Sequence, residues 1–229
     1  LGVAAEDLKD VPDGRGMTDL IRAKTMKQGG AGYVQPGSGS FPKMAEMNEF
    51  VLQCGALPTM TWLDGCSAGE EAIEELLEVA RSTGVVVFNI IPDRNYTPGT
   101  KDQKLTNLQK VVEICKDLNM PLLGGTEMNS PGQKFVDDFD SDELKPMHPY
   151  FLEGSRILHA HSTLQRLAGM GYLSPWSDDQ FASVAAKNEF YARFGEIFSP
   201  RGDEALQNDL SDSLGSGEVI SLAERVMSA

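Results

Sequence analysis

Long apolar runs and a secretion signal are both missing from this sequence. No run approaches the roughly 18–20 apolar residues that a helix needs to cross a bilayer. The first residues, LGVAAEDLKDVPDG, contain neither the basic segment nor the apolar stretch of a signal peptide. We therefore expect a cytoplasmic protein with no membrane partner. The chain starts at Leu1 instead of a methionine, so we also expect that it begins inside a longer coding sequence.

Positive charge and cysteine are scarce. The 20 Lys and Arg residues are outnumbered by 34 Asp and Glu residues, and the net charge of −14 argues against a nucleic-acid partner. The three cysteines have no CxxC spacing, so they predict neither a zinc knot nor a disulfide framework. Cys54 and Cys115 fall on apolar helical stripes, and we interpret them as core residues of a protein in a reducing compartment.

The sequence does contain an alternation of short apolar runs and helical patterns. The runs predict five strands, at 31–35, 57–63, 85–91, 121–127 and 156–160. Helical spacing of apolar residues predicts helices at 42–54, 69–82 and 101–118. The first of these helices is expected to bury Met44, Met47, Val51 and Cys54. Continuous apolar runs are typical of parallel strands that are covered on both faces.

Three sites pair a Ser or Thr with a Glu or Gln three residues later. The pairs are Ser67/Glu70, Thr100/Gln103 and Ser162/Gln165. In such a capping box, the hydroxyl accepts from a free N–H of the first helical turn and the longer side chain reaches back. The pairs therefore predict sharp strand-to-helix turns, and in repeated β/α units the chemistry collects at these turns.

From residue 128 the strand-and-helix pattern becomes irregular and predicts a long loop, followed by helices at 178–198 and 218–227. We predict an α/β fold that is TIM-barrel-like, with a mostly parallel sheet, an incomplete or distorted barrel and a C-terminal helical tail. Residues 1–175 are expected to form the barrel-like domain, and residues 176–229 a helical extension that packs on it. An incomplete barrel exposes unpaired strand edges, so we expect the tail or a homo-oligomer to cover them.

Polar residues that follow the predicted strands are expected to gather on one rim. Glu127 comes after Gly124 and Gly125, two glycines that let a backbone or a ligand approach closely. His161 lies between a predicted strand and a helix cap, where an imidazole can bind a metal or transfer protons near neutral pH. Together with Asp93, these residues predict a catalytic and metal-binding site. For His161 alone, the alternative is a hydrogen-bonded histidine under a loop.

Four further residues are predicted to contact a substrate, and they are Asn89, Arg94, Asn95 and Asn129. An arginine at a strand exit can hold a carboxylate or phosphate with two parallel hydrogen bonds. The alternative is a structural pair between Arg94 and Asp93 in an ordinary turn. Asn89 lies within a buried strand, where its amide must find hydrogen-bond partners.

Other polar residues favour structural interpretations. We interpret His159 as a packed histidine in preference to the partner of His161 in an HxH pair, and we expect His148 to cap a short loop helix. We interpret the part of the loop that contains Asp137, Asp138 and Asp140 as an exposed acidic segment in preference to a Mg²⁺ site.

The segments FNIIPDRN, GGTEMN and LHAHS, at successive predicted strand ends, resemble the later part of a PHP-type metal-dependent hydrolase among the amidohydrolase-like barrels. The resemblance covers about residues 30–175. It implies a distorted seven-strand β/α barrel in which Glu127 binds or bridges metals and His161 is a later ligand. PHP domains begin with an HxH pair, whereas this chain has no histidine before His148. The comparison implies either that about two amino-terminal units are absent or that a diverged relative binds fewer metals or none.

The leading hypothesis is a hydrolase of a small polar or phosphorylated substrate, assisted by a divalent metal such as zinc, manganese or iron. The metal would lower the pKa of a bound water, with Glu127, His161 and Asp93 as ligands or catalytic groups. Two alternatives stay open. One is a sugar isomerase, epimerase or lyase in which Glu127 abstracts a proton and His161 is its partner acid. The other is a non-catalytic, barrel-derived binding protein.

Overall fold

A computed structural model describes residues 4, 6, 14–96, 101–127 and 135–228. The chain forms two compact units. One comprises Leu1–Lys43 and Asn129–Gln133, and the other comprises Met44–Met128 and Lys134–Ala229. The helices that follow residue 176 therefore lie in the same unit as the strands.

The first unit contains helix α1 (Arg15–Thr25) and a glycine-rich turn that closes its carboxyl end. The N–H of Gly32 donates to the carbonyl of Thr25 at 2.8 Å, so the chain folds back to satisfy the last turn of the helix. A Cβ on Gly30 would lie 2.9 Å from the Lys27 carbonyl oxygen, which is closer than a side chain tolerates. The strand predicted at 31–35 is therefore wrong, because these residues form the end of this turn and an irregular segment.

The second unit holds a short sheet and nine helices within the residues that the structure describes. In chain order they are α2 (Met44–Gln53), β1 (Thr59–Trp62), α3 (Ala68–Glu71), α4 (Ile73–Ser82), β2 (Val87–Ile90), α5 (Lys101–Asp117), β3 (Leu122–Gly124), α6 (His148–Ala168), α7 (Pro175–Gln180), α8 (Val184–Ile197), α9 (Asp203–Asp209) and α10 (Ser216–Ser228). Two 3-10 helices, Pro92–Tyr96 and Pro200–Gly202, complete the elements. None of the described helices is both long enough and apolar enough to cross a membrane.

The sheet is parallel, with the order β1-β2-β3. Its register places Thr61 beside Asn89 and Asn89 beside Leu123. The strands predicted at 57–63, 85–91 and 121–127 are confirmed with shorter bounds, and so is their parallel direction. The TIM-barrel-like architecture is wrong, because the described strands form an open three-stranded sheet in a mostly helical chain.

The strand predicted at 156–160 is also wrong, because these residues lie in the middle of α6. Ile157, Ala160 and Leu164 are buried at the spacing of one helical face. A five-residue apolar run does not distinguish a strand from one side of a helix, and here the helical period continues on both sides of the run. Ser162 consequently lies inside a helix and not at its cap.

One face of the sheet is covered by α4 and α5. The buried side chains of this core include Trp62, Ile73, Leu77, Phe88, Ile90, Leu108, Val111 and Leu122. Alternation along the strands sends the neighbouring residues to the opposite face. There Thr59 and Thr61 are exposed, while Asn89 and Leu123 are half-buried. The expectation that both faces of every strand are covered therefore does not hold at β1.

A second core forms where α8 packs against α6 and α10 packs against α8. Its buried residues include Ile157, Leu164, Tyr191, Phe194, Leu206, Val219 and Leu222. The helix predicted at 178–198 is divided into α7 and α8, and Ser183 caps α8 by accepting from the Ala186 N–H at 3.2 Å. The final helix predicted at 218–227 is confirmed as α10.

The buried side of helix α2 is not the side that the sequence predicted. Asn48 is buried and donates through Nδ2 to the Thr83 carbonyl at 2.8 Å. Met44, Met47 and Cys54, which the helical pattern predicted to face inward, are exposed, so the interpretation of Cys54 as a core residue is wrong. The exposed apolar side chains of α2 are Met44, Met47, Phe50 and Leu52. The homo-oligomer expected from the sequence stays a prediction.

Candidate functional site

The carboxyl edge of the sheet collects the polar side chains that follow the three strands. Because the strands are parallel, the chain leaves all three at the same edge. Asp64 follows β1, the 3-10 helix Pro92–Tyr96 follows β2, and Glu127 follows β3. We define this edge as the candidate site.

Arg94 and Glu127 form the central contact of the site. Nε and Nη2 of Arg94 both approach Oε2 of Glu127 at 2.6 Å. The two side chains remain partly accessible, with 41% of Arg94 and 29% of Glu127 exposed. The hydrogen bond to Glu127 raises the pKa of Arg94 above its ordinary value, so the guanidinium keeps its charge. The exits of two neighbouring strands therefore bring a fixed cation and a carboxylate together.

Asn89 lies in β2, on the face of the sheet where Thr59 and Thr61 of β1 are exposed. Its Nδ2 donates to Thr61 Oγ1 at 3.4 Å. A Cβ on Gly125 would lie 2.6 Å from Asn89 Oδ1, so the absence of a side chain at Gly125 makes room for the amide. The sequence predicted that a backbone or a ligand approaches the two glycines closely, and at Gly125 the group that does so is the Asn89 side chain.

Asn95 connects the exits of β1 and β2. Its side chain is fully buried, and Nδ2 donates to the carbonyls of Leu63 and Ile91 at 3.0 Å each. Asn95 thus holds the loop that carries Arg94, which makes it a positioning residue. The side chain of Asp93 and the whole of Asn129 lie outside the described residues.

His161 does not join the carboxyl edge. It lies in α6, 4% exposed, with Nε2 3.1 Å from the Gly55 carbonyl oxygen. Its Nδ1 accepts from the Tyr172 N–H at 3.0 Å, which assigns the proton to Nε2. Gly55 precedes β1, whereas Glu127 follows β3, so His161 and Glu127 lie towards opposite edges of the sheet. The structure gives His161 the packed, hydrogen-bonded environment of the alternative interpretation.

We predict that His161 makes folding sensitive to mild acid. Burial lowers the pKa of His161 and outweighs the opposite effect of the Gly55 hydrogen bond. Below a pH of about 6.5, the unfolded chain takes up a proton at this position that the folded chain does not, so stability is lost as the pH falls. Urea unfolding at pH 7.5 and 5.5 should show a larger loss in the wild type than in His161→Gln. An imidazole that titrates at or above 6.5 in NMR spectra of the folded chain would contradict this.

The other histidines also have structural contacts. His159 Nε2 lies 3.1 Å from the Phe198 carbonyl oxygen, as its packed interpretation predicts. His148 begins α6 and stacks on Phe139, with ring centroids 5.3 Å apart. Within the described part of the chain, no group of three or more His, Cys, Asp and Glu residues is arranged to hold a metal ion. Metal-assisted hydrolysis and the sugar reactions stay predictions.

Lys104 is a member of the carboxyl edge that no sequence pattern predicted. This residue of α5 forms an ion pair with Asp64, with Nζ and Oδ2 2.9 Å apart. Burial raises the pKa of Asp64, but hydrogen bonds from Lys104 and the Cys66 N–H outweigh it and lower the pKa overall. The only available sequence signal was the position of Lys104 in the first turns of the helix that follows β2.

The capping box at Ser67 was correct in position but not in its contacts. Ser67 is the N-cap of α3, yet its side chain makes no capping hydrogen bond. Glu70 instead accepts from the Leu63 N–H at 2.7 Å and so fixes the exit of β1. The box at Thr100 lies outside the described residues.

Comparison of the chain with protein-family models, with curated proteins and with solved structures gives no match. The resemblance to PHP-type hydrolases therefore stays a prediction from short motifs, and the function has to be argued from the geometry of the carboxyl edge.

Proposed function

We propose that the chain binds a small molecule with a carboxylate or phosphate group at the carboxyl edge of its sheet, with Arg94 as the anchor. The observation that carries this proposal is the accessible ion pair of Arg94 and Glu127. In open parallel sheets, ligands bind outside the carboxyl ends of the strands, which is where this pair lies.

The geometry of Arg94 suits an oxyanion. Its planar guanidinium already directs two N–H groups at one carboxylate oxygen of Glu127. A ligand carboxylate or phosphate offers the same kind of acceptor and can form two parallel hydrogen bonds. Glu127 would then accept a hydrogen bond from a hydroxyl of the ligand. A hydroxylated anion, such as a sugar acid or a sugar phosphate, fits both residues.

The surrounding contacts hold this arrangement in place. Asn95 fixes the 3-10 helix that carries Arg94, and Asn89 lies against the turn that leads to Glu127. The ion pair of Lys104 and Asp64 adds a second fixed cation at the same edge. Because the whole chain has a net charge of −14, anion binding depends on local cations such as these.

The test is calorimetric binding of inorganic phosphate, glycerol phosphate, glucose 6-phosphate and gluconate. We predict that Arg94→Met weakens the binding of every anion that the wild type binds by at least about tenfold, the effect of about 1.4 kcal/mol. Arg94→Lys should keep part of the affinity, because lysine retains the positive charge but lacks the planar group that donates two parallel hydrogen bonds.

Arg156→Met is the matched control. Arg156 pairs with Glu196 at 2.9 Å, with 35% and 44% of the side chains exposed, but it lies on α6 and away from the carboxyl edge. This variant should bind the anions as the wild type does. Equal losses in both variants, or no binding of any of the four anions at millimolar concentration, would overturn the proposal.

A further inference from the structure

Any anion that binds Arg94 also meets the carboxylate of Glu127. Nε and Nη2 of Arg94 both approach Oε2 of Glu127 at 2.6 Å. A ligand carboxylate that takes these two N–H groups displaces Glu127 from them, and one that binds another part of the guanidinium lies beside Glu127. In both cases two carboxylates become neighbours, and like charges repel each other.

Two further carboxylates are connected to the loop of Arg94 through the backbone of Leu63. The N–H of Leu63 donates to Glu70 Oε1 at 2.7 Å. The carbonyl of Leu63 accepts from Asn95, the residue after Arg94, at 3.0 Å. Asp64 is the next residue along the chain. These contacts place Glu70 and Asp64 at the same strand exit that holds the arginine loop.

The carboxyl edge therefore has more negative than positive charge. Two cations, Arg94 and Lys104, lie with three carboxylates, Asp64, Glu70 and Glu127. Beyond the hydrogen bond to Glu127, the charges of Asp64 and Glu70 also raise the pKa of the guanidinium. The edge offers an oxyanion two parallel N–H groups, but it resists the addition of further negative charge.

The three kinds of ligand that carry an oxyanion differ in what they add to this balance. A phosphate ester adds between one and two negative charges at neutral pH, and a hydroxy acid adds one. An α-amino acid adds a carboxylate and an ammonium group whose charges cancel. An ammonium group donates a charge-assisted hydrogen bond to a carboxylate, which is roughly twice as strong as the bond from a neutral hydroxyl.

We propose, as a refinement that rests on the proposed function, that the ligand of this site is a small α-amino acid, with its carboxylate on Arg94 and its ammonium group on Glu127. The two ligand charges are one carbon atom apart, which matches two protein charges in direct contact. Each charge of the protein pair exchanges its partner for a ligand group of the same sign, so the net charge of the edge does not change. Hydroxy acids are weaker ligands of the same site, and binding requires no covalent step.

The test compares L-alanine, L-lactate and ethylamine by calorimetric titration of the full chain at neutral pH. Alanine and lactate share the carboxylate and the carbon skeleton, and they differ in an ammonium group against a hydroxyl. Alanine should bind at least about fivefold more tightly, because its ammonium group offsets the repulsion between carboxylates. Ethylamine has the ammonium group without the carboxylate, so it should bind more weakly than alanine because Arg94 repels it.

Glu127→Gln tests the assigned partner of the ammonium group. This variant keeps the size of the side chain and removes its charge, so lactate should bind at least as tightly as it binds the wild type. The preference for alanine over lactate should fall from about fivefold or more to about one. Glu196→Gln is the matched control, because it also removes a carboxylate paired with an arginine, Arg156 at 2.9 Å, but lies on α8. It should keep the wild-type preference.

Equal affinities of the wild type for alanine and lactate, or no binding of alanine at millimolar concentration, would overturn the inference. An unchanged preference in Glu127→Gln would also overturn it, and the wild-type comparison decides the matter even if this variant does not fold. If alanine and lactate bind equally and Arg94→Met weakens both, the proposed function stands without its refinement. Affinities that Arg94→Met leaves unchanged would instead overturn the proposed function, so the two failures are distinguishable.

Discussion

Replacing Gly154 by alanine is expected to lower the free energy of unfolding by about 3 kcal/mol, at the upper end of typical overpacking effects. Gly154 lies in α6 where the helix crosses β3. A Cβ at this position would overlap the backbone carbonyl of Leu122, and a backbone atom cannot rotate away as a flexible side chain can. The methyl group must therefore push the helix from the strand.

The control for this prediction is Gly217→Ala. Gly217 also lies in a helix, α10, but a Cβ there would meet no atom within 4 Å. Alanine is the better helix former, so this variant should be as stable as the wild type or up to about 1 kcal/mol more stable. Urea unfolding measures both. A Gly154→Ala protein as stable as Gly217→Ala would show that α6 and β3 are not packed as closely as the structure places them.

The sequence was most informative where a strand and its flanking helix had distinct periods. β2 was predicted at 85–91 and lies at Val87–Ile90, and the helix predicted at 69–82 contains α4, which buries Ile73, Leu77 and Ala80. Local composition was sufficient to place these two elements, because glycines end the helices and the apolar runs are short. The number of strands was overestimated, since the runs at 31–35 and 156–160 satisfy a strand pattern that turn and helix contacts override.

The candidate site was predictable from the sequence only where its residues follow strands that were predicted correctly. Arg94 and Glu127 are 33 residues apart in sequence, and their contact follows from two strand exits at one edge of a parallel sheet. His161 was misplaced because its position depended on a strand that is part of α6. The ion pair of Lys104 and Asp64 was missed, because no local pattern shows which helical side chain reaches a given strand exit.

Phe88→Ala is expected to lower the free energy of unfolding by about 4 kcal/mol, as large-to-small changes of buried aromatic residues do. Phe88 lies in the central strand β2, and its side chain is 0% exposed in the core beneath α4 and α5. Removing the ring loses its transfer free energy and leaves a cavity that close-packed neighbours cannot fill. Urea unfolding followed by circular dichroism provides the measurement, and a loss below about 1 kcal/mol would contradict the position of Phe88 in this core.

Phe50→Ala is the matched control, because it removes the same ring from a side chain that is 58% exposed on α2. Its expected effect is within about 1 kcal/mol of zero, since exposed positions contribute little to stability. A larger loss that grows with protein concentration would mean that the exposed apolar side chains of α2 are covered in solution by a second copy, because association stabilises the folded state by mass action. Light scattering of the wild type and Phe50→Ala would then show a dimer that the variant weakens, which is the homo-oligomer predicted from the sequence. A monomer in both proteins would contradict that prediction while leaving the expected loss at Phe88 unchanged.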